Sequence, residues 1–263
     1  MQNKNPIIII AVLSVLALGL GYWVGLPKEG SGGEGKNGGG KKEPDFLKKG
    51  LVAYYPFNGN AKDESGNENH GEVTGATFVD GRHGVVRRAC YFDGSSDYIE
   101  IEHSESVSFS SSNYAITMWV KYPSQAENGW GYSALFIKAR GTEPFYGPTV
   151  FASHKQKGKV DFREVGNAEL MTNKSKLDDN IWRHFVFMKR GVRYSIFING
   201  ILDSSVERDF GDVRINDRPI VLGANQTVRT GQNYKGYMDD LRIYNRALSE
   251  AEVKALYEFE KVK

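Results

Sequence analysis

Period-two alternation of apolar and polar residues, broken by short turns, most constrains the fold of this chain. Stretches of this kind recur between residues 51 and 240, among them YAITMWVKY, DYIEIEHS and HFVFMKR. Such alternation places successive side chains on opposite faces of a strand. Turn pairs such as Arg190-Gly191 and Asn199-Gly200 join neighbouring stretches into hairpins. The pattern therefore predicts an antiparallel β-sandwich or barrel.

One helix is predicted, near the end of the chain. Ser249 and Glu252 have the spacing of a capping box. Val253, Leu256 and Tyr257 then form an apolar stripe at helical spacing. We expect this helix to cover one edge or end of the sandwich.

The first 50 residues differ in character from the rest. Residues 1–6 form a short tail, and Ile7 to Leu26 is a run of 20 uncharged residues. At 1.5 Å per residue this run is about 30 Å long, which predicts a transmembrane helix that acts as a signal anchor. A cleaved signal peptide is the alternative. Residues 27–50 contain eight glycines and predict a flexible linker, so residues 51–263 form the predicted domain.

Overall composition excludes several classes of protein. The 34 Lys and Arg residues nearly balance the 32 Asp and Glu residues, which argues against a nucleic-acid partner. A single Cys excludes an internal disulfide framework and a Cys-rich metal cluster. Recognition of a smaller ligand or of another protein remains open.

Five stretches in this order resemble one known family. They are LVAYYPFNGNAKDESGNENHG, ACYFDGSSDYIEIEHSESV, AITMWVKY, WRHFVFMKRGVRYSIFINGILDSS and YKGYMDDLRIYNRALSEAEVKALYE. Together they resemble the laminin-G-like branch of the concanavalin-A-like lectin/glucanase superfamily, from Leu51 to about Phe259. The resemblance implies an all-β jelly roll of two antiparallel sheets, to which the sequence adds the N-terminal transmembrane helix and the short C-terminal helix.

The first loop of the domain, FNGNAKDESGNENHG, is rich in the oxygen donors that Ca²⁺ prefers. From its residues alone, the loop is better interpreted as a polar turn. The resemblance implies one structural Ca²⁺ between this loop and the acidic pair of the closing strand. Asp239 is expected to face the core and Asp240 to point outward, unless a bulge exchanges them. The candidate ligands are Asp63, Asp239, Asn58, Gly59, Asn67 and Asp240.

Catalysis is not predicted. Glu100, Glu102 and Glu105 superficially fit the E-x-D-x-x-E strand of β-glucanases, in which two carboxylates flank the glycosidic bond. The resemblance, however, implies an ordinary strand end here, and the motif comes too early in the fold. No G-x-S-x-G, H-E-x-x-H or P-loop motif is present.

Because catalysis is not predicted, we expect the domain to bind a ligand. Aromatic residues in loops, with polar residues beside them, are typical of sugar-binding surfaces, although they also pack loops onto a core. The candidate ligand contacts are Trp130, Tyr132, Phe145, Tyr146 and Asn225.

These observations predict a membrane-anchored, non-catalytic module that recognises a glycan or a protein ligand. The alternative is a structural or assembly domain of an envelope complex, with glycoside hydrolysis a third hypothesis. Because weak Ca²⁺ sites suit millimolar calcium, the domain is expected in the periplasm or outside the cell. The layout of anchor, linker and domain is typical of a bacterial inner-membrane protein. The lysines of the linker argue for the opposite orientation, with the domain in the cytoplasm, because positive charges favour the cytoplasmic side of a membrane.

Overall fold

Strands dominate the computed structural model, which describes residues 43–124, 131–138, 146–165, 169–209, 217–225 and 232–261. In chain order the strands are β1 (Leu51–Tyr55), β2 (Gly71–Thr74), β3 (Thr77–Val79), β4 (Ala89–Asp93), β5 (Tyr98–Ile101), β6 (Asn113–Lys121), β7 (Tyr132–Ile137), β8 (Tyr146–Ser153), β9 (Lys159–Val165), β10 (Glu169–Met171), β11 (Arg183–Arg190), β12 (Arg193–Ile198), β13 (Ile201–Glu207), β14 (Ile220–Leu222) and β15 (Lys235–Tyr244).

The strands form two antiparallel sheets, as the alternation predicted. Sheet A has the order β13-β12-β11-β6-β15-β4-β3, and sheet B has the order β10-β9-β8-β7-β14-β5-β2. The long strand β15 pairs with β6 along one edge. Its other edge pairs with β4 in its first half and with β1 in its second half. The first and last strands of the domain are therefore hydrogen-bonded to each other.

The core lies between the two sheets. Alternate residues of β6, namely Ile116, Met118 and Val120, point into it and are fully or almost fully buried. The hairpin predicted at Asn199-Gly200 is confirmed, with φ values of 51° and 80° that suit a two-residue turn. The preceding turn is Gly191 and Val192 rather than Arg190-Gly191, because Arg190 still pairs across the hairpin.

The predicted helix is present as α1 (Glu250–Glu260). Both hydrogen bonds of the capping box between Ser249 and Glu252 are formed. Val253 and Leu256 are buried against the face of sheet A that points away from sheet B. We call this face the outer face of sheet A; α1 covers one part of it.

The C-terminal end of the predicted linker packs against the domain. Residues 43–50 are described, and Asp45–Leu47 forms a short 3₁₀ helix. Leu47 is fully buried in the cluster under α1, and Arg246 donates to the carbonyl oxygens of Phe46 and Lys49. The apolar pair Phe46-Leu47 explains this packing, because burying it offsets the ordering of the backbone.

The predicted transmembrane segment 7–26 and the glycine-rich part of the linker lie outside the described residues. Within the part of the chain that the structure describes, no helix combines the length and the apolar character needed to span a membrane.

A candidate binding site on the outer face of sheet A

Strand β15 contains a bulge that determines where its two acidic residues point. Asp240 has a φ of 43°, and the pairing of β15 with β6 shifts between Asp239 and Arg242. Met238 and Leu241 both enter the core although they are three residues apart. Asp239 and Asp240 therefore both lie on the outer face of sheet A. The expectation that Asp239 faces the core was wrong, because the bulge changes the parity of the strand.

Arg82 supplies the positive charge that this acidic pair requires. Its guanidinium binds Asp239 through one nitrogen and Asp240 through the other, the second contact being 2.6 Å. The hydroxyl of Tyr54 donates to the other oxygen of Asp240 at 2.6 Å. The three charged side chains are each about 5% exposed. Buried carboxylates are stable only when paired in this way.

Asp63, the other predicted carboxylate ligand of calcium, organises the first loop. It accepts hydrogen bonds from the backbone of Tyr54 (2.9 Å), Ser65 (2.8 Å) and Asn69 (3.0 Å), and from the hydroxyl of Ser65 (2.9 Å). These donors occupy both of its oxygens. The amide of Asn67 also donates to the Ser65 hydroxyl at 3.0 Å. Asp63 and Asn67 are therefore parts of the loop's own hydrogen-bond network.

This arrangement does not fit the calcium site that the resemblance implied. Ca²⁺ requires six to eight oxygen ligands, whereas the candidate carboxylates are engaged by Arg82 and by N–H and O–H donors. In the residues described, no group of three or more His, Cys, Asp or Glu side chains is placed to hold a metal. The carbonyl of Asn58 accepts from Asn60 at 3.2 Å, and the carbonyl of the neighbouring candidate Gly59 accepts no hydrogen bond within the backbone and side chains described. Calcium stays a prediction of the resemblance alone.

A second layer of buried charge lies beneath the end of α1. Arg242 donates to Glu260 at 2.9 Å, and the indole of Trp119 donates to the same carboxylate at 2.8 Å. Burial and the nearby Asp240 carboxylate raise the pKa of Glu260, and the same two causes raise the pKa of Asp239. The cluster thus combines three carboxylates with two guanidiniums.

A cavity of about 270 Å³ opens above this cluster. The predicted residues Asn58, Asp239 and Asp240 line this cavity with residues of the loop between β3 and β4. Its lining residues are Pro56, Asn58, Gly81, Arg82, His83, Val85, Arg88, Asp239 and Asp240.

Beside the cavity, four half-buried side chains form a row across sheet A, which we call the aromatic row. Tyr91 on β4 pairs with Tyr237 on β15, and Tyr237 pairs with Lys121 on β6. Trp182, one residue before β11, continues the row next to Lys121. The rings of Tyr91 and Tyr237 are 4.9 Å apart, and those of Tyr237 and Trp182 are 6.1 Å apart.

Lys121 lies between the rings of the aromatic row. Its ammonium nitrogen is 4.1 Å from the centroid of Tyr237 and 5.4 Å from that of Trp182. Tyr237 and Asp239 are two residues apart on the same face of β15, a spacing of about 7 Å. The row and the cavity are thus adjacent parts of one surface.

Of the aromatic residues predicted from the sequence, only Tyr132 has a described side chain. Trp130 and Phe145 fall outside the described residues, as does the side chain of Tyr146, the first residue of β8. Tyr132 packs on Phe151 in sheet B, with ring centroids 5.9 Å apart.

The remaining predicted contact, Asn225, is 3% exposed and donates to Gln232 at 2.6 Å. The structure does not bring Asn225 or Tyr132 to the aromatic row.

The aromatic row was missed although the alternation contains a signal for it. Tyr91 lies between the core residues Cys90 and Phe92, so strand parity already directs it outward. Tyr237 precedes the core residue Met238 in the same way. Only the pairing of β4, β15, β6 and β11 shows that these outward residues are neighbours, and strand order is not readable from local pattern.

The glucanase-like acidic motif does not form one strand. Glu100 lies in β5 and Glu102 follows its end, whereas Glu105 begins a separate 3₁₀ helix, Glu105–Val107. Glu102 and Glu105 are exposed. The motif therefore lacks the single strand from which paired catalytic carboxylates project.

Comparison with known families decides the classification. Residues 93–254, more than half of the 263 residues, match a family model, Laminin_G_3, described as the concanavalin A-like lectin/glucanases superfamily. The chain belongs to this superfamily. The two antiparallel sheets agree with that membership.

One curated relative of this superfamily member is Paraclostridial mosquitocidal protein 1 of Paraclostridium bifermentans. It is 26% identical over 212 residues, which are 74% of this chain and 16% of that protein. The crystal structure of its binding domain matches with a TM-score of 0.66 at 24% identity, over 80% of this chain and 52% of that one. The chain thus spans only a small part of the curated relative and about half of the solved domain.

Two further structures share the fold and were solved with sugars. Domain 4 of AbnA, a GH43 extracellular arabinanase from Geobacillus stearothermophilus, was solved in complex with arabinotriose. It has a TM-score of 0.59 at 23% identity, over 79% of this chain and 98% of that one. The ligand-binding domain of botulinum neurotoxin serotype D was solved with N-acetylneuraminic acid. It has a TM-score of 0.63 at 17% identity, over 82% of this chain and 52% of that one.

Proposed function

We propose that the domain is a non-catalytic module that binds carbohydrate and that the aromatic row is its contact surface. The observation that carries the proposal is the alignment of Tyr91, Tyr237 and Trp182 in one register across adjacent strands. Half-buried rings held by a rigid sheet offer apolar area to a sugar face at low entropic cost. The adjacent cavity adds Asn58 and Arg88 as polar groups that can pair with hydroxyls.

Two similar domains support this choice of ligand class. Domain 4 of the arabinanase was solved with arabinotriose, and the toxin domain was solved with N-acetylneuraminic acid. Both ligands are carbohydrates. The relatedness is distant, so these structures support the class of ligand and not its identity.

A glycan array tests the proposal with the full chain and matched variants. Trp182→Ala and Tyr91→Ala remove rings from the row, while Tyr98→Ala removes a half-buried ring from β5 of sheet B. Stacking of a nucleic-acid base on an aromatic ring is worth about 1–3 kcal/mol. We expect a comparable contribution from a stacked sugar, so either row variant should weaken binding about fivefold or more. Tyr98→Ala should bind like the wild type, with folding of all proteins checked by circular dichroism.

The same array separates the proposal from its alternatives. Binding that survives in the row variants but is lost in Trp130→Ala would move the site to the loop predicted from the sequence. A folded protein that binds no glycan would instead support protein recognition or a structural role in an envelope assembly. Hydrolysis of a bound glycan by the wild type, lost in Glu100→Gln, would support the glycosidase hypothesis.

We further propose that residues 7–26 anchor the protein in a membrane and present the domain outside the cytoplasm. The support is the run of 20 uncharged residues, which is long enough to cross the hydrocarbon core. Protease added to intact cells or spheroplasts should then digest the domain, and the protein should require detergent for extraction. A domain protected until the cells are lysed would reverse the orientation.

A further inference from the structure

Lys121 is placed to do more than cover aromatic rings. Its ammonium lies within the aromatic row, 4.1 Å from the centroid of the Tyr237 ring. The residue is half-buried, so its nitrogen is held by the sheet yet reachable from solvent. In the described part of the chain, Lys121 makes no ion pair with a carboxylate. The row therefore presents a positive charge that the protein itself does not neutralise.

Other charged residues lie on either side of the row. In the next register on one side, Asp93 of β4 lies opposite Lys235 of β15. On the other side, Asp239 is bound by Arg82. The nearby Asp179 binds Arg183, with a closest contact of 2.5 Å. Lys121 thus lies among the rings without a bound carboxylate in the residues described, whereas Arg82 and Arg183 beside the row are paired.

From this placement we infer that the module selects acidic sugars, with the ring stacked on the aromatic row and its carboxylate or sulfate bound by Lys121. The inference rests on the carbohydrate-binding function proposed above and specifies its ligand class. An ammonium is a compact point charge with three donors, which suits a single anionic substituent beside a stacked ring. Such charge-assisted hydrogen bonds are roughly twice as strong as those between two neutral groups.

The test uses matched pairs of glycans that differ only in charge. The probes are oligogalacturonate and its methyl ester, sialylated glycans and their desialylated forms, and sulfated glycans and their unsulfated forms. Poly-glutamate serves as an acidic polymer without sugar rings. We expect the full chain to bind the acidic member of at least one pair about tenfold more tightly than its neutral partner.

Variants of Lys121 assign that preference to the ammonium. Lys121→Gln keeps much of the aliphatic stem but removes the charge, so it should bind both members of the pair equally. Lys121→Arg keeps the charge and should retain the preference. Raising the salt concentration from about 0.05 M to about 0.5 M should weaken the acidic probe more than the neutral one.

The possible results distinguish failure of this inference from failure of the proposed carbohydrate-binding function. Equal binding of acidic and neutral partners, lost in Trp182→Ala, would overturn the inference and leave the carbohydrate-binding function intact. Acid preference that persists in Lys121→Gln would also overturn it. Tight binding of poly-glutamate would show a general anion site without sugar stacking. A folded protein that binds none of the glycans would overturn both proposals.

Discussion

At the scale of single residues, burial determines the charge of His184. This side chain is fully buried, beside the stacked rings of Trp119 and Tyr257. Its two ring nitrogens make no hydrogen bond within the residues described, and the nearest carboxylate, Glu260, is 3.6 Å away. Burial, with the positive charge of Arg82 as the next cause, lowers its pKa to about 3. His184 is therefore neutral at pH 7 and part of the packing under α1.

This shift predicts a loss of stability in acid. An unfolded histidine has a pKa near 6.5, so the unfolded state takes up the proton first as the pH falls from about 6.5 towards about 3. Over two pH units the linkage amounts to about 2–3 kcal/mol of unfolding free energy. The pKa values of Asp239 and Glu260 are raised in the folded protein, so acidification stabilises the folded state through these two groups. Their effect is therefore opposite to that of His184. The variant His184→Phe isolates the histidine from them.

Urea unfolding at about pH 7 and about pH 4.5 measures the effect. The wild type should lose about 2–3 kcal/mol more stability on acidification than His184→Phe does. The exposed His83, replaced in His83→Gln, provides the control and should follow the wild type. Equal acid sensitivity of the wild type and His184→Phe would contradict the assignment.

Residue-level predictions from the sequence succeeded where the pattern is local. Parity placed Ile116 and Met118 correctly in the core, but it failed at Asp239 because one bulged residue reverses it. Arg82 could not be identified as the partner of Asp239, since 157 residues separate them. Long-range charge pairing depends on strand order, which alternation does not encode.

At the scale of elements, buried ion pairs connect strand β15 to the neighbouring loop. Arg82 binds both acidic residues of the bulge and also donates to the backbone carbonyl of Glu260 at 2.9 Å. The loop between β3 and β4 is thereby joined to the bulge and to the end of α1. These contacts connect early and late parts of the domain through protein groups alone, and calcium stays a prediction of the resemblance.

Replacing Arg82 with Met should therefore destabilise the domain strongly. The variant leaves two buried carboxylates without their counter-charge, which costs about 3–5 kcal/mol. The exposed Arg87 on the same loop is the matched control, and Arg87→Met should change stability by less than about 0.5 kcal/mol. Denaturant midpoints of the three proteins measure this difference.

Denaturant midpoints also test whether the folded domain binds calcium. Neither EDTA nor millimolar Ca²⁺ should move the midpoint of the wild type, because Arg82 and the donors to Asp63 already occupy the candidate ligands. A metal that bound only the folded state would raise the midpoint with concentration. A midpoint that falls in EDTA and recovers with Ca²⁺ would show that the resemblance, not the arrangement of Arg82, describes the site.

At the scale of the whole molecule, the two sheets are joined by an apolar core and by one buried charge pair. Glu164 of β9 in sheet B lies 2.6 Å from the ammonium of Lys189 on β11 in sheet A. The hydroxyls of Tyr114 and Tyr194, both from sheet A, donate to the same carboxylate. The sandwich itself was predictable from alternation, and Lys189 has the same parity as the core residues Phe185 and Phe187. Its partner Glu164 was not predictable, because it comes from a strand of the other sheet.

The pair predicts strong coupling between the sheets. Lys189→Met alone leaves Glu164 buried and uncompensated, which should cost about 3–5 kcal/mol. Adding Glu164→Gln removes the uncompensated charge while its amide oxygen still accepts from Tyr114 and Tyr194. The double variant should therefore be more stable than Lys189→Met, with an interaction free energy of about 1–3 kcal/mol in a double-mutant cycle. Urea unfolding of the wild type and the three variants measures it, and additive effects of the two substitutions would show that this contact does not join the sheets.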